Sequence, residues 1–152
     1  MRRAQWIMLA LASLLVLSGS VVEADDVPLP ANLKITAPDS SIPAEIAAFS
    51  GKWVGIWDGK LSSALVVQKI YPADGNDRYK ADILYAWGTY IPWYIRASNR
   101  EMDAEIKNGR LTAQYGSVFI LYRFGSDPNA LEGEYKTPSG SISTGTFKKA
   151  TD

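Results

Sequence analysis

The 152-residue chain contains no cysteine and no histidine, and these two absences exclude more than any motif in it asserts. Without a thiol there is no disulfide, so stability must come from packing and backbone pairing, and the small stapled scaffolds are ruled out. Without imidazole or thiolate there is no Ser-His-Asp triad, no cysteine nucleophile, no zinc site of the usual nitrogen and sulfur type and no ordinary haem ligation. Most enzyme classes fall with them, and the chain reads as non-enzymatic and without a cofactor or metal.

An excess of charge of one sign is missing too. Lys and Arg number 16 against 16 Asp and Glu, with no basic run, so the positive patch that a nucleic-acid partner demands is lacking. Long apolar stretches are confined to the start. Met1-Arg2-Arg3 is basic, Ala4 to Leu17 is almost wholly apolar, and Val22-Glu23-Ala24 offers small residues at the two positions a signal peptidase reads. The pattern predicts a signal peptide over 1–24, a secreted or periplasmic product, and no membrane attachment after cleavage. The competing expectation is an uncleaved anchor, since 4–22 approaches the ~20 residues that cross a bilayer. Against it, Ser18, Gly19 and Ser20 end the apolar run early, and Ser20 stands where a lipobox needs cysteine.

The chain beyond this leader is long enough for one domain with a sizeable core. Four prolines fall within 25–43, "DDVPLPANLKITAPDSSIP", and no period persists there, which predicts a flexible arm or linker. The domain proper is expected over 44–152. A helical turn is expected over 43–49, where Ile46 and Phe49 share a face.

After Ser50 the apolar period is two, broken at short intervals by turn signals. Asn108-Gly109 suits a type I′ hairpin that sets Ile106 opposite Leu111, Ala104 opposite Ala113 and Met102 opposite Tyr115. Glu105 then meets Thr112, and Asp103 meets Gln114, on the other face. Asp58-Gly59 predicts a two-residue hairpin pairing Ile56 with Leu61 and Val54 with Ser63. Eight strands are expected near 52–58, 60–71, 78–87, 93–107, 110–115, 118–124, 130–136 and 141–149, the fourth bulged or bent around 97–100. Eight short antiparallel strands in succession, with no helix long enough to cover a sheet, predict an all-β, closed up-and-down meander barrel. An open meander or a β-sandwich is the competing layout. Gly55, Gly133 and Gly145 inside strands suit sharp bends in such a barrel.

The Gly51-Lys52-Trp53 start of the first strand, ahead of an eight-strand meander, resembles the calycin superfamily of lipocalins, fatty-acid-binding proteins and avidins. The resemblance implies that Trp53 plugs the closed end of the barrel, with Gly51 structural and Lys148 or Lys149, after Phe147, as its basic cover; of these we take Lys148. The haem-binding nitrobindins of the same superfamily are similar only in their Trp- and Gly-rich first strand, and the histidine they need is absent.

Aromatic density is the positive clue to function. "YAWGTYIPWY" places Tyr85, Trp87, Tyr90, Trp93 and Tyr94 around a strand end and the loop after it. Rings at a barrel mouth hold an apolar ligand or stack on a sugar, with hydroxyl and indole N–H groups fixing its orientation; the bland alternative is core and strand-end packing. Tyr85 and Trp87 share parity with Ala81 and Ile83 and are expected to face inward. Trp57 lies at the hairpin tip, the opposite end from Trp53. The candidate ligand-binding residues are therefore Trp57, Tyr85, Trp87, Tyr90 and Trp93. Glu101, Asp103 and Glu105 form a row opposite the apolar face of their strand and read as solvated exterior rather than as a glycosidase pair. The leading expectation is a binding module for a small apolar or aromatic ligand. The alternatives are a protein-binding module, such as a protease or lysozyme inhibitor using the arm, and a carbohydrate-binding domain.

Overall fold

The computed structural model describes residues 27–75 and 77–151; the expected signal peptide lies outside the described residues. A short helix, α1 (Ala44–Ala47), precedes eight strands: β1 (Gly51–Trp57), β2 (Leu61–Pro72), β3 (Tyr79–Trp87), β4 (Ser98–Lys107), β5 (Arg110–Tyr115), β6 (Val118–Phe124), β7 (Ala130–Lys136) and β8 (Ile142–Lys149). Each pairs antiparallel with the next and β8 returns to β1, closing an up-and-down barrel. The odd-numbered side chains of β1 face inward with those of β3, β5, β7 and β8, whereas β4 and β6 turn their even-numbered side chains to the core.

The Asn108-Gly109 turn has positive φ at both positions, 50° and 70°, as a type I′ turn requires. Ile106–Leu111, Glu105–Thr112 and Ala104–Ala113 pair as expected, but the β4–β5 ladder ends there. Met102–Tyr115 and Asp103–Gln114 are not partners, because β4 parts from β5 toward the barrel's open end while remaining paired with β3 as far as Trp87–Ser98.

The first hairpin differs from expectation by one residue. Trp57 pairs with Leu61 and Ile56 with Ser62, so the loop is Asp58-Gly59-Lys60, closed by the Lys60 amide donating to the Trp57 carbonyl at 2.8 Å. The reason is burial: a two-residue turn would put Leu61 opposite outward-facing Ile56, and a one-residue slip exchanges every side chain between the faces. The bulge also falls elsewhere. It is at Gln68 in β2, between the Val67–Ile83 and Lys69–Asp82 pairs, while 93–97 is not strand; a 3₁₀ turn, Ile91–Trp93, occupies the start of the expected fourth strand.

Gly55, Gly133 and Gly145, expected as bends, make room for their neighbours. A Cβ on Gly55 would lie 2.3 Å from the Thr146 carbonyl oxygen and 2.8 Å from the Phe147 ring, and one on Gly133 2.7 Å from the Trp57 indole. The rings of Trp57 and Phe147 lie against bare backbone, with centroids 4.8 Å apart.

The segment expected to be a flexible arm lies against the barrel from Val27 onward. Val27 and Leu29 cover Ala64 and Ala86 on the outer face of β2 and β3. Asn99 Nδ2 donates to the Pro28 carbonyl at 2.9 Å, and the Thr36 amide donates to the carbonyl of bulged Gln68 at 2.7 Å. Ile42 joins the main core.

Candidate functional site

Strand direction gives the barrel two unlike ends. At the end where β1 begins, α1 brings Ile46 and Phe49 over the opening. Phe49 stacks on Phe124 at 4.7 Å, Phe124 lies 5.8 Å from Trp53, and the fully buried Trp53 donates its indole N–H to the Phe49 carbonyl at 2.8 Å. Gly51 takes a φ of 116°, a region that side-chain-bearing residues rarely adopt, and a Cβ there would meet the Lys149 stem at 3.1 Å. The basic cover is Lys149, whose ammonium lies 5.1 Å from the Trp53 ring and reaches the Ala48 carbonyl at 3.4 Å. It is not Lys148, because alternation from inward-facing Phe147 returns to the interior at 149 and sends 148 outward.

From this closed end the interior is filled up to the level of Trp57, Tyr122 and Phe147. Beyond it, at the opposite end, lies a cavity of about 560 Å³. Of the five expected ligand-binding residues, Trp57, Tyr85, Trp87 and Trp93 line it. Tyr90 does not; it stands behind Trp93, ring against ring at 4.8 Å. Trp57 and Tyr85 form the floor, where the Trp57 indole N–H donates to the Tyr85 hydroxyl at 3.1 Å. Trp87 leans on Tyr85 at 5.3 Å and fixes the following loop by donating its indole N–H to the Arg96 carbonyl at 2.9 Å. Trp93, 37% exposed, forms the rim, with the Lys60 ammonium 5.4 Å from its ring.

Two tyrosines of this site are not among the residues singled out from sequence. Tyr115 and Tyr135 share a hydrogen bond at 2.8 Å across the cavity wall. Alternation carries the signal: Tyr115 follows inward-facing Leu111 and Ala113, and Tyr135 follows Leu131 and Gly133. Arg100 is a third addition. It pairs with Tyr85 on the inward face of β4, and its guanidinium lies 4.7 Å from the Tyr115 ring, across the gap where β4 and β5 part.

Burial pushes the Tyr85 hydroxyl up to about 12, opposed by the hydrogen bond it accepts from Trp57; the Ser63 hydroxyl donates to the Ala86 carbonyl. Burial, and then the bond to Tyr115, raises Tyr135 further. Below the floor, Tyr122 is raised well above the ordinary value by burial, and its hydroxyl has no hydrogen-bond partner among the described residues. Among the described residues the one carboxylate at the cavity edge is Asp58, which accepts from the Thr144 amide at 2.9 Å. That bond, joined by one from Ser143, holds its carboxyl below the usual range.

Glu101, Asp103 and Glu105 lie on the barrel exterior as expected, Glu105 paired with Arg78 at 2.7 Å. Among the described residues no cluster of carboxylates could hold a metal ion, and no helix is long and apolar enough to cross a membrane. No protein-family model and no curated protein matches the chain. What stands of the calycin resemblance is therefore architectural: a closed, eight-stranded, antiparallel barrel compatible with that fold.

Proposed function

We propose that this protein is a secreted or periplasmic, non-enzymatic binding module that takes a small aromatic or apolar ligand at the open end of its barrel. The observation that carries this reading is the aromatic mouth cavity. Its volume, about 560 Å³, falls in the range of roughly 300–1,000 Å³ typical of small-molecule sites, as does its mix of apolar wall and few oriented polar groups. Its floor is pre-formed by the Trp57–Tyr85 hydrogen bond, so little ordering is required on binding. Among the described residues its one acid is already hydrogen-bonded to a backbone amide, and no second carboxylate lines the cavity to complete an acid–base pair.

Native mass spectrometry of the protein from Asp25 onward, before and after denaturation and refolding, tests the reading, together with quenching of tryptophan emission by aromatic probes. A bound mass lost on refolding, or saturable quenching that Trp93→Ala weakens about tenfold, is the expected result. No adduct and no quenching overturns it.

A protein-binding role is the second reading, favoured by one observation: beside the mouth, Ile91 and Tyr94 are exposed, Tyr94 at 94% and with a φ of 55°. Apolar side chains held out on an unfavourable backbone are a feature of contact surfaces. Tyr94→Ser separates the readings, since it lies off the cavity and leaves quenching by small probes unchanged.

A further inference from the structure

We propose that the mouth site is selective for aromatic anions, and that Arg100 with the Tyr115–Tyr135 pair receives the anionic group while Trp87 and Trp93 hold the ring system. This rests on the cavity being a ligand site and adds the chemistry of what it takes.

Hydrogen-bond donors at the mouth outnumber the acceptors left to receive them. Arg100 makes no ion pair and no hydrogen bond to another described residue; the two ion pairs found there are Arg78–Glu105 and Arg123–Glu132. Its strand position nevertheless turns it to the inward face beside Tyr85, against the Tyr115 ring. A guanidinium is planar and forked, suited to a carboxylate's two oxygens. Tyr115 and Tyr135 have two hydroxyl protons between them and consume one in their mutual bond, leaving one O–H to give away. Both residues line the cavity, and the charge of Arg100 is felt at the Tyr135 hydroxyl. Lys60 adds a second cation at the Trp93 rim.

Acceptors are scarce by contrast. The Asp58 carboxylate, the one acid among the described lining residues, keeps its charge while accepting from the Thr144 amide, and the hydroxyls of Thr137 and Ser141 are engaged within their own turn, with Ser139. A cationic ligand would meet this single carboxylate, already hydrogen-bonded, against the charges of Arg100 and Lys60. A neutral aromatic ligand would fill the walls and leave the free donors unmatched.

Titration calorimetry with three probes on one skeleton tests this: 2-naphthoate, 2-acetylnaphthalene and 2-naphthylmethylammonium, each against the wild-type protein and against Arg100→Met. The expected order is naphthoate tightest, by about tenfold over the ketone, and the ammonium weakest. Arg100→Met should weaken naphthoate about tenfold and the uncharged ketone far less, so that the preference between them is lost, continued ketone binding being the check that the cavity is intact. Equal binding of all three probes, or naphthoate unaffected by Arg100→Met, overturns the inference while leaving the cavity reading standing. No binding of any probe to the wild type overturns both.

Discussion

Tyr122 is the residue whose chemistry is least at ease. Its ring packs against Trp57 and Phe147 and its hydroxyl is buried with no partner among the described residues, and an unsatisfied buried hydroxyl costs about 1–3 kcal/mol. Tyr122→Phe keeps the ring and removes the cost, so chemical denaturation should show it unchanged or up to ~1 kcal/mol more stable. Gly55 sits at the other extreme of fit. Gly55→Ala drives a methyl into the Thr146 carbonyl and the Phe147 ring, and overpacking of this kind costs about 1–3 kcal/mol in the same measurement. Much at this scale is legible in the sequence. Trp53, Trp57, Tyr85 and Trp87 can be placed because alternation assigns faces and the hairpin assigns ends. Lys149 is equally readable from the parity of Phe147, a signal that the choice of Lys148 passes over. The role of Gly55, Gly133 and Gly145 is not readable, since an inward glycine looks the same whether it bends a strand or admits a neighbour's ring. Tyr122 is likewise hidden, because hydroxyl satisfaction depends on atoms from other strands.

At the level of elements, the N-terminal segment is part of the barrel wall. Outward-facing Ala64 and Ala86 are fully buried beneath Val27 and Leu29, so this part of the outer face of β2 and β3 is not a solvated surface. Val27→Asp should lower the denaturation midpoint and raise binding of a hydrophobic dye, since it places a charge on apolar surface and uncovers it. A segment that merely dangled would show neither effect. Proline density and the loss of period point to an arm or linker, but they do not distinguish a free arm from one laid on a sheet. The sign that tells them apart is in β2 and β3: Ala64, Val66, Leu84 and Ala86 stand where an exposed face would carry polar residues. The hairpins are legible to within one residue. Asn108-Gly109 fixes its own register, whereas the Asp58-Gly59 register is settled by the burial of Leu61, a tertiary effect.

For the molecule as a whole, pH acts chiefly through the interior phenols. Tyr85 and Tyr122 have folded values above the ordinary phenol value, so the folded state binds more protons than the unfolded above about pH 10. Stability should be at its full value below about pH 10 and fall as pH rises toward about 12, the folded value of Tyr85. Tyrosinate absorbance from Tyr85 and Tyr122 should lag until the barrel opens. Tyr85→Phe and Tyr122→Phe variants whose alkaline absorbance titration matches the wild type below the unfolding transition are the expected result, and a loss of amplitude there would contradict this. The closed architecture itself is readable from strand count, spacing and the lack of a covering helix; the division into a packed half and a hollow mouth is not, since both fit one alternating pattern. The seam between β1 and β8 sets a further condition. Trp53 to Trp57 pair with Gly145 to Lys149, so the ribosome delivers the partner of the first strand only with the eighth. Without Ile142–Lys149 the sheet would have two open edges, Trp57 no Phe147 beside it and Asp58 no Thr144 amide. Closure therefore depends on the last strand to be synthesised of the eight, and a chain cut before Ile142 forfeits the barrel.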